Sequence, residues 1–139
     1  MKDLIPKFGN ALINLNSELT EKIINIDKEE IETVLRNIID NAVKYSNGKP
    51  VEVTVSENPL NKDETFIFIK DKGRGIESEE IVKIFEPFYR IDKSRDKKIT
   101  GYGLGLSIVK KILDMHNSSV EINSKPFHGT EFKITLRGI

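Results

Sequence analysis

Four residues on one stretch of the chain have side chains suited to holding a charged ligand: Asn37, Asn41, Lys44 and Tyr45. At roughly 100° per residue they fall within an arc of about 100° on a helix. An amide oxygen is a hard ligand for a cation, an ammonium is a point charge for phosphate, and a phenol ring offers a flat face to a base. The plainer alternative is a polar helix shoulder with Tyr45 as half-buried packing, and this stretch alone does not exclude it. A second group is Asp71-Lys72-Gly73-Arg74-Gly75-Ile76. An Asp at the end of an apolar run, followed by two glycines, permits a tight turn and close approach by a ligand, with a carboxylate able to accept from the exocyclic amine of a purine. It also suits a simple turn in which Asp bonds its own backbone.

The third group is Gly101-Tyr102-Gly103-Leu104-Gly105-Leu106-Ser107. Glycines before a helix expose free N–H groups where the helix dipole favours an anion, which is a phosphate cradle in outline. The Walker A pattern is absent. A dinucleotide fingerprint is also a poor match, because the spacing is G-x-G-x-G and a charged loop precedes it, although Glu121 sits near the position of a ribose acid. A protein-kinase glycine loop runs into a strand, whereas LSIVKKIL continues as a helix. Between the two glycine groups lies Phe85-Glu86-Pro87-Phe88-Tyr89-Arg90, with aromatics able to pin a loop to the core and an arginine able to reach a phosphate. Gly129-Thr130 adds a hydroxyl at the start of a strand.

The elements that must position these groups follow from periodicity. Leu12–Leu15 and Ile23–Ile26 are short apolar segments expected as strands around a polar turn. From Asp27 to Tyr45, apolar residues recur at three- and four-residue spacing, with Asp27 as N-cap and acids in the first turn, so a helix is predicted. Ser46-Asn47-Gly48-Lys49-Pro50 stops it. Val51–Val55 alternates as a half-buried strand, and Phe66–Lys70 reads as a buried one. Ser78 is expected to cap a short helix running to Phe85. Residues 86–100 are charged, lack periodicity and are expected to form a mobile loop. A helix to about Met115 and strands at Val120–Asn123 and Glu131–Leu136 complete the chain. These elements predict an α+β fold, a two-layer α/β sandwich with a mixed, mostly antiparallel sheet and helices on one face.

Composition bounds the partners. The 139 residues suit one domain, and 22 basic against 22 acidic residues leave no net charge, which argues against a nucleic-acid footprint. The absence of cysteine excludes disulfides and thiolate chemistry, and His116 and His128 stand too far apart in sequence for a metal cluster. No apolar run approaches the ~20 residues of a membrane span. A cytoplasmic domain with no membrane contact of its own is the expectation, and it is compatible with being the cytoplasmic part of a membrane-anchored sensor.

Order is the strongest signal. Asn-x-x-x-Asn-Ala-x-Lys-Tyr is followed by Asp-x-Gly-x-Gly-Ile, Phe-x-x-Phe, Gly-x-Gly-x-Gly-Leu and Gly-Thr. In that order the chain resembles the catalytic and ATP-binding domain of sensor histidine kinases, of the superfamily shared with type II topoisomerase, MutL and Hsp90. The resemblance covers roughly residues 11–137, so 11–139 is read as the catalytic domain and 1–10 as a residual linker. It implies a Bergerat-type fold that takes ATP or ADP with Mg²⁺. By the resemblance Asn41 holds magnesium, Asn37 is a second polar partner to metal or phosphate, and Lys44 contacts phosphate. Tyr45 stacks on adenine, and Asp71 receives its amino group. Gly73 and Gly75 form the first glycine box. Phe85 and Phe88 open the ATP lid, and Arg90 lies near the γ-phosphate. Gly101, Gly103 and Gly105 form the second glycine box, and Thr130 belongs to the last. Ile76, Tyr89, Tyr102, Leu104 and Leu106 are placed around the nucleotide as well.

Hydrolytic members of the superfamily carry Glu one turn before the magnesium Asn, and here that position is Asn37, which is no general base near neutral pH. The resemblance therefore implies phosphoryl transfer in two-component signalling. The acceptor is a histidine on a separate dimerisation domain, and a response regulator is reached indirectly. The isolated domain is expected to be monomeric. Two departures stand out: Tyr102 replaces the usual small residue, and His116-Asn117-Ser118 stands where the family often has His-Gly-Gly. The phosphoacceptor motif is absent, so His116 is not expected to be the acceptor. Three other readings compete. A non-catalytic adenine-nucleotide module read by a partner is the strongest, an anti-sigma-type serine kinase is disfavoured by the Phe85/Phe88 box and Arg90, and a plain hydrolase is disfavoured by Asn37.

Overall fold

The computed structural model describes residues 13–17 as backbone and residues 26–46, 48–86 and 105–137 with their side chains. The elements are β1 (Ile13–Ser17), α1 (Lys28–Tyr45), β2 (Val51–Glu57), β3 (Glu64–Asp71), α2 (Ser78–Ile81), α3 (Gly105–Met115), β4 (Ser119–Ser124) and β5 (Thr130–Arg137). The strands form one sheet of order β1-β2-β3-β5-β4, antiparallel except for the parallel β1–β2 pair. This is the α+β architecture predicted from the sequence.

The reason for α1 is visible in its sequence. Asp27 caps it, its carboxylate accepting the Glu30 N–H at 3.1 Å, and Glu29 and Glu30 complement the positive helix end. Ile31, Val34, Leu35, Ile38, Ile39 and Ala42 form its buried stripe. That stripe lies on β2 and β3 and against α3, which in turn packs on β4. Alternation in the strands supplies the facing layer. Val53, Ile69, Phe132 and Ile122 make one cross-strand row, and Val55, Ile67, Ile134 and Val120 the next. All but Val120 and Ile122 of these are buried, and those two lie half-buried on the edge strand β4. Full burial of each such side chain contributes roughly 1.5–3 kcal/mol.

The same alternation carries on to the end of β3. Asp71 stands two residues beyond Ile69, on the core-facing side, opposite Thr130, which is itself opposite Ser124. The sheet thus ends its apolar rows with a polar one, and that row is the floor of the site described below.

Several boundaries differ from the sequence reading. The short helix is only Ser78–Ile81, followed by turns to Phe85, and Ser78 is not its cap. Glu77 holds that position in an extended conformation, with no side-chain capping bond. Only Ile84 of this segment is buried, with Ile81 and Phe85 half-buried against the core, so little apolar surface favours a longer helix. Ile26 lies outside any strand and packs at the core margin; residues 18–25, the rest of that expected strand and turn, lie outside the described residues. The loop expected over 86–100 also lies outside them, apart from Glu86.

The end of α3 accounts for one departure noted in the sequence. Asn117 takes a left-handed conformation (φ 52°), the Ser118 N–H donates to Leu113 O at 2.9 Å, and the Asn117 N–H donates to Asp114 O at 3.3 Å. This is a Schellman cap with asparagine in the usual glycine position. The Ser118 hydroxyl donates to His116 O and accepts the Arg137 N–H, tying the cap to β5.

Candidate functional site

At the end of the sheet where Asp71 lies, α1, the loop after β3, the start of α3 and β5 enclose an open cleft of about 410 Å³. Asn41, Ala42 and Tyr45 line it from α1. Asp71, Arg74, Gly75 and Ile76 come from the end of β3 and the loop that follows, Leu106 from α3, and Thr130 and Phe132 from β5. Residues separated by some ninety positions in sequence thus share one cavity.

Asp71 is only 4% exposed. Its Oδ1 accepts the Gly73 N–H at 2.8 Å, and the Thr130 backbone N–H faces it and favours its charged form. Burial raises its pKa above the ordinary carboxylate value, against the two backbone donors, which lower it. A carboxylate that is fixed, desolvated and aimed at a largely apolar cleft is an acceptor in want of a ligand donor. The loop that carries it admits little variation. A Cβ on Gly73 would collide with the Tyr45 carbonyl at the end of α1, and Gly129, with φ +82°, lies against the Asp71 carbonyl.

Ser124 joins the remaining pieces. Its Oγ accepts the Ile76 N–H at 2.8 Å and lies 3.0 Å from Gly129 O and 2.8 Å from Thr130 Oγ1. The Phe127 N–H donates to Arg74 O at 2.7 Å. The post-β3 loop and the β4–β5 turn therefore form one hydrogen-bonded wall.

The sequence matches the family described as histidine kinase-, DNA gyrase B- and HSP90-like ATPase over residues 26–138. The chain belongs to this ATPase family. It is 47% identical over 111 residues to the sensor protein kinase WalK of Staphylococcus aureus, covering 79% of this chain and 26% of that protein. The chain thus spans about a quarter of the length of that relative. Among solved structures it is similar to the mycobacterial sensor histidine kinase MprB, with 28% identity, a TM-score of 0.75, and coverage of 91% of this chain and 82% of that one. The catalytic domain of histidine kinase ThkA has the same fold, with a TM-score of 0.77 at 23% identity over 93% of this chain and 80% of that one.

Within this ATPase fold the residues singled out in the sequence fall into three groups. Asn41, Tyr45, Asp71, Gly75, Ile76, Leu106 and Thr130 line the cleft itself. Asn37, Lys44, Gly73, Phe85 and Gly105 are described but stand outside its lining. The Asn37 Nδ2 donates back to Thr33 O at 2.8 Å, which turns its Oδ1 toward Gly105, where a Cβ would come within 2.8 Å of it. Asn37 therefore abuts the first residue of α3. The Lys44 Nζ pairs with Asp40 at 2.9 Å, one turn back on the same helix. Phe85 is half-buried against the core, as an anchor would be. Phe88, Tyr89, Arg90, Gly101, Tyr102, Gly103 and Leu104 lie outside the described residues.

Sequence reasoning missed Ala42, Arg74, Ser124 and Phe132. Arg74 stands between two glycines of a turn where its type carried no signal of its own, and Ser124 and Phe132 belong to strands whose registry brings them beside Asp71. Strand alternation alone offered a signal for Phe132, and none existed for Ser124.

Proposed function

We propose that this chain is the catalytic half of a sensor histidine kinase, binding Mg-ATP in the cleft and donating its γ-phosphoryl group to a histidine on a separate dimerisation domain. A response regulator would then take the phosphoryl group from that histidine. The observation that carries this reading is the buried Asp71 carboxylate, held by the Gly73 N–H at the floor of a cleft whose other walls bring Asn41, Tyr45, Ile76 and Leu106 together. Asp71 accepts from the adenine amino group, and Ala42, Ile76, Leu106 and Phe132 exclude water from the base. Tyr45 offers its ring.

The donor set suits magnesium. Asn41 lines the cleft and carries one amide oxygen, and Mg²⁺ commonly takes only one or two protein ligands beside phosphate oxygens and water. When bound, the ion neutralises charge on the transferred group. Leu106 brings the described start of α3 to the cleft, and a helix start is a setting that favours an anion. Asn37 offers no base to activate water, which favours transfer to an acceptor over hydrolysis. The acceptor is not His116. His116 is 7% exposed, with Nδ1 2.8 Å from Ile112 O and Nε2 3.4 Å from Glu30, so it is a clamp between α3 and α1.

Mixing this domain with the acceptor-histidine domain of its parent protein and γ-labelled ATP is expected to label the histidine, and no transfer would sink the kinase reading. Nucleotide binding is tested separately by thermal melting. Mg-ADP at ~100 times its dissociation constant adds about 2.7 kcal/mol, a rise of roughly 5–10 °C for a domain of this size.

A further inference from the structure

Arg74 is exposed, yet everything around its backbone is fixed. Its carbonyl accepts the Phe127 N–H at 2.7 Å, and the next amide but one, Ile76 N–H, donates to Ser124 Oγ at 2.8 Å. The flanking glycines leave no freedom either. A Cβ on Gly73 would strike the Tyr45 carbonyl, and one on Gly75 would strike the Lys125 carbonyl. From this clamped position the side chain lies over the Tyr45 ring, its guanidinium carbon 4.7 Å from the ring centroid. Among the described residues no carboxylate stands within ion-pair distance of it. Its charge is met by the π face and by the C-terminal end of α1, where Tyr45 is the last residue and a cation is favoured. Tyr45 and Arg74 both line the cleft that Asp71 floors.

We propose that Arg74 is a base-stacking residue, its guanidinium, backed by the Tyr45 ring, supplying a cationic surface on which the purine rests. The inference depends on the cleft taking an adenine nucleotide, as argued above. Guanidinium planes and aromatic rings are the two protein surfaces on which bases stack, and here one already lies on the other. Asp71 recognises the edge of the base, and the Tyr45–Arg74 wall recognises its face. Lysine in this position would retain the charge and lose the plane.

The test compares Mg-ADP, read by calorimetry, with adenosine, read by NMR titration, because adenosine has a base and no phosphate. Arg74→Ala is expected to weaken both ligands by the same factor, about 2- to 5-fold for an exposed cation–π contact. Arg74→Lys is expected to fall between the two. In a Tyr45→Leu background Arg74→Ala is expected to add no further loss. Ligand-free Arg74→Ala and Arg74→Lys should melt within a few degrees of the parent, since the side chain is exposed and only the exposed contact with Tyr45 is lost. Three results would overturn the assignment: unchanged affinities, a loss confined to Mg-ADP (a phosphate contact), or an undiminished loss in the Tyr45→Leu background. If the parent itself binds neither ligand, the nucleotide reading fails first and takes this inference with it.

Discussion

Replacing Asp71 by Asn changes one atom at the floor of the cleft while keeping its shape. The Gly73 N–H still finds an acceptor, so the turn at 2.8 Å survives. The other carboxylate oxygen becomes an NH₂, which opposes the amino group of adenine as donor against donor. A hydrogen bond to a charged group contributes about 1.5–3 kcal/mol, so Mg-ADP affinity should fall roughly 10- to 150-fold. Mg-IDP carries a 6-oxo acceptor in place of the amine and should lose less, or gain. The ligand-free protein should respond in the opposite direction. Burial raises the Asp71 pKa, so the folded state holds this proton more tightly than the unfolded chain. Stability from this group is therefore full below the ordinary carboxylate pKa and is lost as pH rises through the raised one. Asp71→Asn should then melt higher than the parent at neutral pH, with the advantage shrinking as pH falls through that window. Calorimetric titration with the two nucleotides, beside melting curves across acidic pH, reads both effects. Unchanged ADP-to-IDP selectivity in the variant would refute the role given to Asp71.

Three further substitutions probe the frame around the site. The Thr65 hydroxyl is buried on β3 with no hydrogen-bond partner among the described residues, so Thr65→Val should stabilise the fold by about 1 kcal/mol in denaturant unfolding. Asn117→Gly should add a few tenths of a kcal/mol by relieving its positive φ at the α3 cap, visible as a raised melting temperature with nucleotide affinity unchanged. Gly73→Ala forces a methyl into the Tyr45 carbonyl and should destabilise by about 1–3 kcal/mol, as well as weaken Mg-ADP by moving the donor that fixes Asp71; a variant that melts and binds like the parent would contradict the close approach described for this loop.

Local chemistry made much of this protein legible in its sequence. The α1 helix could be read because Asp27 caps it and its apolar residues repeat at helical spacing, and β3 because Phe66–Lys70 is a short apolar run between turn formers. Asn41, Tyr45, Asp71, Ile76, Leu106 and Thr130 were recognisable by type, spacing and order, and all of them line the cleft. The short α2 was misread because Ser78 is a good capping residue whose neighbour Glu77 nevertheless takes the cap position, and too little of the segment is buried to extend the helix.

Tertiary structure decided what those residues mean to one another. Strand registry carries Asp71 to the core-facing side opposite Thr130 and Ser124, which is why its carboxylate is buried and raised in pKa rather than solvated in a turn. The close passage of Gly73 beneath the Tyr45 carbonyl lays Arg74 over the ring, a contact between residues 29 positions apart in numbering that no local pattern encodes. Lys44 is held by Asp40 on its own helix, and Asn37 turns toward Gly105. Periodicity and capping act within a turn or two of the chain, so the sequence by itself determined the elements and the inventory of the site. Burial, stacking and the pKa of a carboxylate depend on neighbours brought in by the sheet, and those only the folded chain could supply.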